Sequence, residues 1–203
     1  GGSTFPTVIV ASTDADPLPA DNAGTYAWTV PDAITTTARV RITNTADTSV
    51  FDDSDANFKI RGALTLNAPN GNEKWTVGSS QTITWTRTGS IANVKLEYST
   101  DGGTSYPNLI IATTPADPLP ADNVGSFAWT IPNTPSATVK VRVSDASDAT
   151  ALDVSDANLK IKASLNVTAP NSGEVWTVGS AQNITWTNVG TVANVKLEYS
   201  TDG

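Results

Sequence analysis

Apolar and polar residues alternate along most of this chain with a period of two, and no segment shows helical spacing over a useful length. Between Ala63 and Lys162 the alternation recurs again and again. Ile83 and Trp85 share one side of their segment; Val94, Leu96 and Tyr98 share a side while Lys95 and Glu97 take the other. Phe127, Trp129 and Ile131 alternate until Pro132 closes the run. Val139, Val141 and Val143 interleave with Lys140 and Arg142, and Leu159 and Ile161 interleave with Lys160 and Lys162. With Ala63–Ala68 before the Pro69-Asn70-Gly71-Asn72 turn and the apolar run 108–112, this predicts about seven short strands in about 100 residues. An all-β, antiparallel two-sheet sandwich of immunoglobulin-like type follows, its core supplied largely by three tryptophans per unit.

The pattern repeats with a constant offset. Trp28 and Trp129, Trp75 and Trp176, and Trp85 and Trp186 are each 101 residues apart, and 165–203 matches 64–102 at roughly two-thirds of positions without a gap. The reading divides the chain into 1–62, the C-terminal part of one repeat with about four strands, 63–162, a whole repeat, and 163–203, the N-terminal part of the next with about three strands. Gly1-Gly2 align with Gly102-Gly103, and Asp202-Gly203 with Asp101-Gly102, so both termini fall in the same loop. The expectation is a window on a longer tandem array; the other reading is a subunit whose half-units are completed by neighbouring chains. Half-units of this size leave bare the apolar face meant for the missing half.

Composition narrows the chemistry. Twenty acidic and 12 basic residues give a net charge of −8, which argues against nucleic acid as a partner, because phosphate binding needs a basic footprint. No apolar run reaches membrane-spanning length, so membrane insertion is not expected. Cys and His are absent, which removes disulfides, thiol nucleophiles, Ser-His-Asp machinery and the usual transition-metal ligands. Asn166-Val-Thr and Asn183-Ile-Thr are glycosylation sequons, but their repeat partners are Thr65 and Thr82, and chance is the better reading.

The runs Pro69-Asn-Gly-Asn-Glu-Lys-Trp75-Thr-Val-Gly78, Ile83-Thr-Trp85, Val94-Lys-Leu-Glu-Tyr-Ser-Thr-Asp101-Gly-Gly, Phe127-Ala-Trp129-Thr-Ile-Pro132 and Asp156-Ala-Asn-Leu-Lys-Ile161 carry a resemblance. In this order they resemble the immunoglobulin-like domain of the yeast cell-wall β-glucan synthesis, or Ser-Thr-rich GPI-anchored membrane, family, which recurs in tandem in large bacterial surface proteins. The resemblance implies a β-sandwich, an extracellular or cell-surface setting, and no catalytic residue.

Candidate chemistry has bland counterparts. Asp14, Asp16, Asp21 and Asn22, with Asp117, Asp122 and Asn123 as their repeat, and Asp52, Asp53, Asp55 and Asn57, with Asp153, Asp156 and Asn158, form oxygen-rich loops that calcium could use. Asp14 falls opposite Pro115, and Asp and Asn are ordinary turn residues, so no metal is expected. Glu97 and Glu198 stand beside Lys95 and Lys196 as cross-strand charges rather than a glycosidase pair. Trp85 and Trp129 are in phase with the core, whereas Trp75 and Tyr106 lie at loop edges and are freer to stack on a glycan.

Two features point to structure. Lys95, Lys140, Arg142, Lys160 and Lys162 share the outward side of one sheet, a basic stripe able to dock the acidic loops of a parallel neighbour. The joints Ile60-Arg61-Gly62-Ala63-Leu64 and Ile161-Lys162-Ala163-Ser164-Leu165 leave only a few residues between repeats, too few for free swivelling. The expected function is a structural extracellular stalk, fibre or filament, without catalysis or cofactor, whose partner is itself. The alternative is an adhesin or glycan-binding array. The sharper expectation has the tail of one copy completing the head of the next, with Gly203 of one beside Gly1 and Gly2 of another.

Overall fold

The alternating segments become strands wherever a second strand is present to receive their hydrogen bonds. The computed structural model describes residues 4–16, 23–118 and 122–202 and contains no helix among them. The chain divides into two compact units, Gly1–Gly62 and Ala63–Gly203.

The second unit holds a whole sandwich. One sheet has the order β10 (Val124–Thr130), β7 (Ser80–Thr88), β5 (Ala63–Ala68), all antiparallel. The other runs β6 (Lys74–Thr76), β13 (Leu159–Lys162), β11 (Ser136–Asp145), β8 (Asn93–Ser99), β9 (Asn108–Pro115), with β12 (Leu152–Val154) also on β11. Antiparallel sheets that alternate in this way bury one face each, and the two inner faces meet in a single core. Leu66, Ile83 and Trp85 of the first sheet pack on Val94, Leu96, Val139, Val141, Val143, Leu159 and Ile161 of the second. Trp129 is the hub, with Trp75 edge-on at 6.0 Å and Tyr98 at 5.1 Å between ring centroids. The architecture is an immunoglobulin-like sandwich, with a first strand that changes sheets at the Pro69 turn.

Among the described residues nine strands stand where about seven were expected. β6 and β12, at three residues each, are too short for alternation to show. β6 forms only because β13, far along the chain, pairs with it in parallel, Ile161 opposite Trp75. This overturns the expectation that Trp75 is a free edge aromatic: it is a core residue.

The chain enters this sandwich at one end and leaves it at the other. Ala63 lies opposite Thr88 at the far end of β7. Lys162 accepts a hydrogen bond from Val77 N, next to Gly78, which donates to Ile131 O at the near end. Across the nine residues of β7 that separates the two points by about 30 Å.

The remaining segments carry incomplete sheets. In the first unit β1 (Thr35–Ala38) pairs with β4 (Phe58–Ile60), and β2 (Arg41–Thr43) with β3 (Phe51–Asp53). Residues 8–14 and 23–29, whose repeat equivalents lie in β9 and β10, form no strand. In the second unit β14 (Ser164–Ala169) pairs with β15 (Thr185–Val189). The expected third strand of this tail, 194–200, stays unpaired because the strand equivalent to β11 is missing.

Candidate functional site

Residue-by-residue comparison across the 101-residue offset locates the exposed surface that needs explaining. Tyr98 is 6% exposed and its equivalent Tyr199 91%; Trp85 is 0% exposed and Trp186 40%. Val143 is 0% exposed and its equivalent in the head, Ile42, 70%. These side chains belong to an inner face and lie in solvent because the strands that cover them in the sandwich are not there. Burying apolar surface is worth about 25 cal/mol per Å², which the whole repeat gains at these positions. In the head, Tyr26, Trp28 and Val8 line an open cleft of about 370 Å³.

The sandwich shows what holds its two halves, 63–102 and 103–162, together. Trp85 Nε1 donates to Ala116 O at 2.9 Å. Its ring lies against Gly125, where an added Cβ would fall 2.1 Å from the indole. Leu66 N donates to Asp153 Oδ2 at 2.7 Å. Asn70 Nδ2 donates to Asp156 Oδ2 at 2.7 Å, and Asp156 N donates to Asn70 Oδ1 at 2.8 Å. Buried Ser155 donates through Oγ to Pro69 O at 2.9 Å and accepts from Val141 N at 3.0 Å. Arg87 reaches Asp117 at 2.8 Å.

The acidic loops thus have structural work. Asp117, Asp153 and Asp156 are partnered as above, and Asp53 is held by Arg41 at 2.6 Å. Among the described residues no group of three or more His, Cys, Asp or Glu could hold a metal ion; Asp21 lies outside the described residues, as does Asn22.

On the outer side, β8, β11 and β13 bring Lys95, Lys140, Arg142, Lys160 and Lys162 to one face. Glu97 joins two of them, to Lys95 Nζ at 2.6 Å and Arg142 Nη2 at 2.7 Å. Arg142 also caps the Tyr106 ring at 4.2 Å. Glu97 stands directly opposite Arg142, the cross-strand charge the alternation implied, and it is buried. Burial alone would raise its pKa, but the hydrogen bonds from Lys95 and Arg142 outweigh it and hold the carboxylate below its ordinary range. A carboxylate lowered in the folded state stabilises above its unfolded pKa, about 4.3, and loses that contribution as the pH falls through the folded value. The melting temperature should accordingly fall on acidification from about pH 5. A Glu97→Gln variant, followed by the same pH series of thermal melts, should show a flatter acid limb.

At the joint, only Ala163 separates β13 from β14. The next repeat's hairpin touches the exit end of the sandwich: a Cβ on Gly190 would lie 2.9 Å from Val77 Cγ2 and 3.2 Å from Ala163 Cβ. Thr191 N donates to Asn133 Oδ1 at 2.7 Å. Ile161 is in the core, Lys162 ends β13, and Ser164 and Leu165 begin β14. Ile60 ends β4, Arg61 and Gly62 follow, and Ala63 and Leu64 open β5. Val77, Asn133, Gly190 and Thr191 were not visible as joint residues in the sequence; a glycine kept at both Gly89 and Gly190, each at positive φ, was the available signal. Gly1, Gly2 and Gly203 of the expected end junction lie outside the described residues, and Asp202 is exposed, its N donating to Ser200 Oγ at 3.2 Å.

No helix among the described residues is long and apolar enough to cross a membrane. No protein-family model matches the chain, so the cell-wall resemblance gains no support there. No curated protein matches it either. Among solved structures it is similar to the fibronectin(III)-like modules of Clostridium thermocellum CbhA, at 19% identity over 62% of this chain and 61% of that one, with a TM-score of 0.29. It is also similar to the titin domains z1z2 crystallised with telethonin, at 15% identity over 52% of each chain, with a TM-score of 0.26. The chain thus spans about three-fifths and about half of these two structures.

Proposed function

We propose that this chain is a structural module of an extracellular stalk or fibre, extending by sandwiches placed end to end, without catalysis or cofactor. One observation carries the reading. The chain enters the sandwich at one end, leaves at the other, and after a single residue begins a further repeat that contacts the exit end. Serial attachment of this kind makes a solenoid-like rod in which each unit touches only its neighbours. The motif resemblance to cell-surface domains supports the extracellular setting.

The glycan-binding alternative loses its residues: Trp75 is in the core and Arg142 covers Tyr106. Lateral docking through the basic stripe rests on Lys160 and Lys162, since Glu97 engages Lys95 and Arg142 and Lys140 Nζ donates to Asp156 O at 3.2 Å.

Small-angle scattering of chains lengthened by whole repeats tests the reading. The maximum dimension should grow linearly with repeat number; growth as a compact globule overturns it. Gly190→Val puts a branched side chain at φ 86° against Val77 and Ala163. It should cost the joint about 1 kcal/mol or more, broadening the distance distribution in scattering while leaving the main unfolding transition nearly in place.

A further inference from the structure

We infer that the outer side of β6 and β13 binds an acidic polysaccharide through Lys74, Lys160 and Lys162. The fold creates this cluster where the sequence shows none. The parallel pairing of β6 with β13 sets Lys74 directly opposite Lys160, and Lys162 follows two residues along on the same side. Neighbouring strands lie about 4.8 Å apart and alternate residues of one strand about 6.6 Å, so three ammonium groups crowd one small area. All three lysines are exposed. Lys140, on the adjoining β11, adds a further positive charge, its Nζ donating to the backbone carbonyl of Asp156 at 3.2 Å. Like charges set opposite each other in a sheet destabilise it. Among the described residues no carboxylate meets Lys74, Lys160 or Lys162 in an ion pair.

Protection of a sheet edge explains one of the three. β6 is an edge strand, and Lys74 there discourages a further strand from pairing. But β13 is paired on both sides, with β6 and with β11, and its lysines guard no edge. Nor does the sandwich supply the missing anion. Glu73 accepts from Asn70 N and Gly71 N, each at 2.8 Å, and Asp156 accepts from Asn70 Nδ2 at 2.7 Å. Asp101 accepts from the hydroxyls of Ser99 and Ser105. These acids staple turns, and the lysines keep their charge unanswered.

The anion therefore comes from outside, and the chemistry of the patch selects its class. The three cations are lysines, point charges that suit single anionic groups spread along a polymer; the planar fork of arginine, which grips phosphate through two bonds at once, is not among them. Beyond the patch, a net charge of −8 repels both the dense phosphates of nucleic acid and a second copy of the chain. Side chains able to meet sugar hydroxyls stand on the same side: Thr76 opposite Lys162, and exposed Asn158 two residues before Lys160. Lys59 and Arg61 hold the places of Lys160 and Lys162 one offset earlier, so successive repeats give a long polyanion several weak footholds that act together. The choice of a polysaccharide rests on the extracellular reading; the unanswered charge does not.

Titration calorimetry of the purified chain with polygalacturonate, set against the fully methyl-esterified and uncharged polymer, tests the inference. The charged polymer should bind and the esterified one should not, and affinity should fall with salt by about one released counter-ion per lysine engaged. The triple variant Lys74→Gln, Lys160→Gln, Lys162→Gln should bind on the order of tenfold or more weakly. It should melt no lower than the parent at low salt, since a repulsion has been removed. Lys160→Gln alone should weaken binding measurably, whereas Lys196→Gln, an equal loss of charge at a lysine paired with Glu198, should not. Absence of binding at low salt overturns the inference, as does binding unchanged in the triple variant. Tighter binding of duplex DNA that the triple variant loses overturns it in favour of nucleic acid. Self-association that the triple variant abolishes, without polymer binding, overturns it in favour of a lateral contact between copies. In each of these cases linear growth of the lengthened chains still upholds the repeat-module reading, and compact growth with polymer binding intact overturns that reading alone.

Discussion

Gly125→Ala is expected to be among the most damaging single substitutions in the 63–162 sandwich, although it adds one methyl group. That methyl would lie 2.1 Å from the Trp85 ring, well inside contact distance. The indole cannot retreat, because Nε1 is fixed to Ala116 O and the ring is fully buried. Overpacking a dense core commonly costs about 1–3 kcal/mol, occasionally more, and here relief needs the two sheets to part. Trp85→Ala removes the opposing partner and should cost about 3–5 kcal/mol, a large share of the about 5–15 kcal/mol that holds a typical domain folded. The two changes should not add: with Trp85 gone, Gly125→Ala has room for its methyl, so the double variant is less destabilised than the sum of the singles. Urea unfolding of the four proteins, read by near-ultraviolet circular dichroism, checks both magnitude and coupling. Additive losses would show that the close approach is not the cause.

Ser155→Ala should come next. The hydroxyl is fully buried and joins Pro69 O of the first half to Val141 N of the second. Alanine leaves the shape almost unchanged and strands a buried donor and a buried acceptor, for a loss of about 1–3 kcal/mol. The urea midpoint should drop with an unchanged slope, since no surface is added to the unfolded chain. Ser54, at the equivalent place in the head, has no Pro69 equivalent in its own unit, and its Oγ accepts from Val40 N at 3.2 Å. Ser54→Ala should barely move the same transition.

Much of the sandwich was legible because alternation is strong where one face is buried. β8 and β11 could be read directly from Val94-Leu96-Tyr98 and Val139-Val141-Val143, and Trp85 and Trp129 were in phase with them. Trp75 was misread because its burial depends on a parallel partner far along the chain, and a three-residue strand has no period to read. Glu97 was legible as a cross-strand charge but its burial was not, because alternation tells only which side of a sheet a residue takes. It does not say that Arg142 and Tyr106 will close over that side. Gly24 and Gly125 stand in alternating runs with no turn around them, and a glycine so placed does signal a close approach. The surfaces of the half-units were legible in kind, through the constant offset, but the joint contacts of Gly190 and Thr191 were not, since they arise from packing across a boundary.

The parallel pairing of β6 with β13 bears on how such a chain carries tension. A pull between Ala63 and Lys162 draws β6 one way and β13 the other, along their common axis. The bonds from Asn72 N to Asn158 O, from Lys160 N to Glu73 O and from Val77 N to Lys162 O lie across that direction. They are loaded together in shear, so the joint does not peel apart bond by bond. Resistance is then set by the rate of escape over that one cooperative barrier rather than by equilibrium stability. A sandwich built this way can hold a sustained force while being of quite ordinary stability.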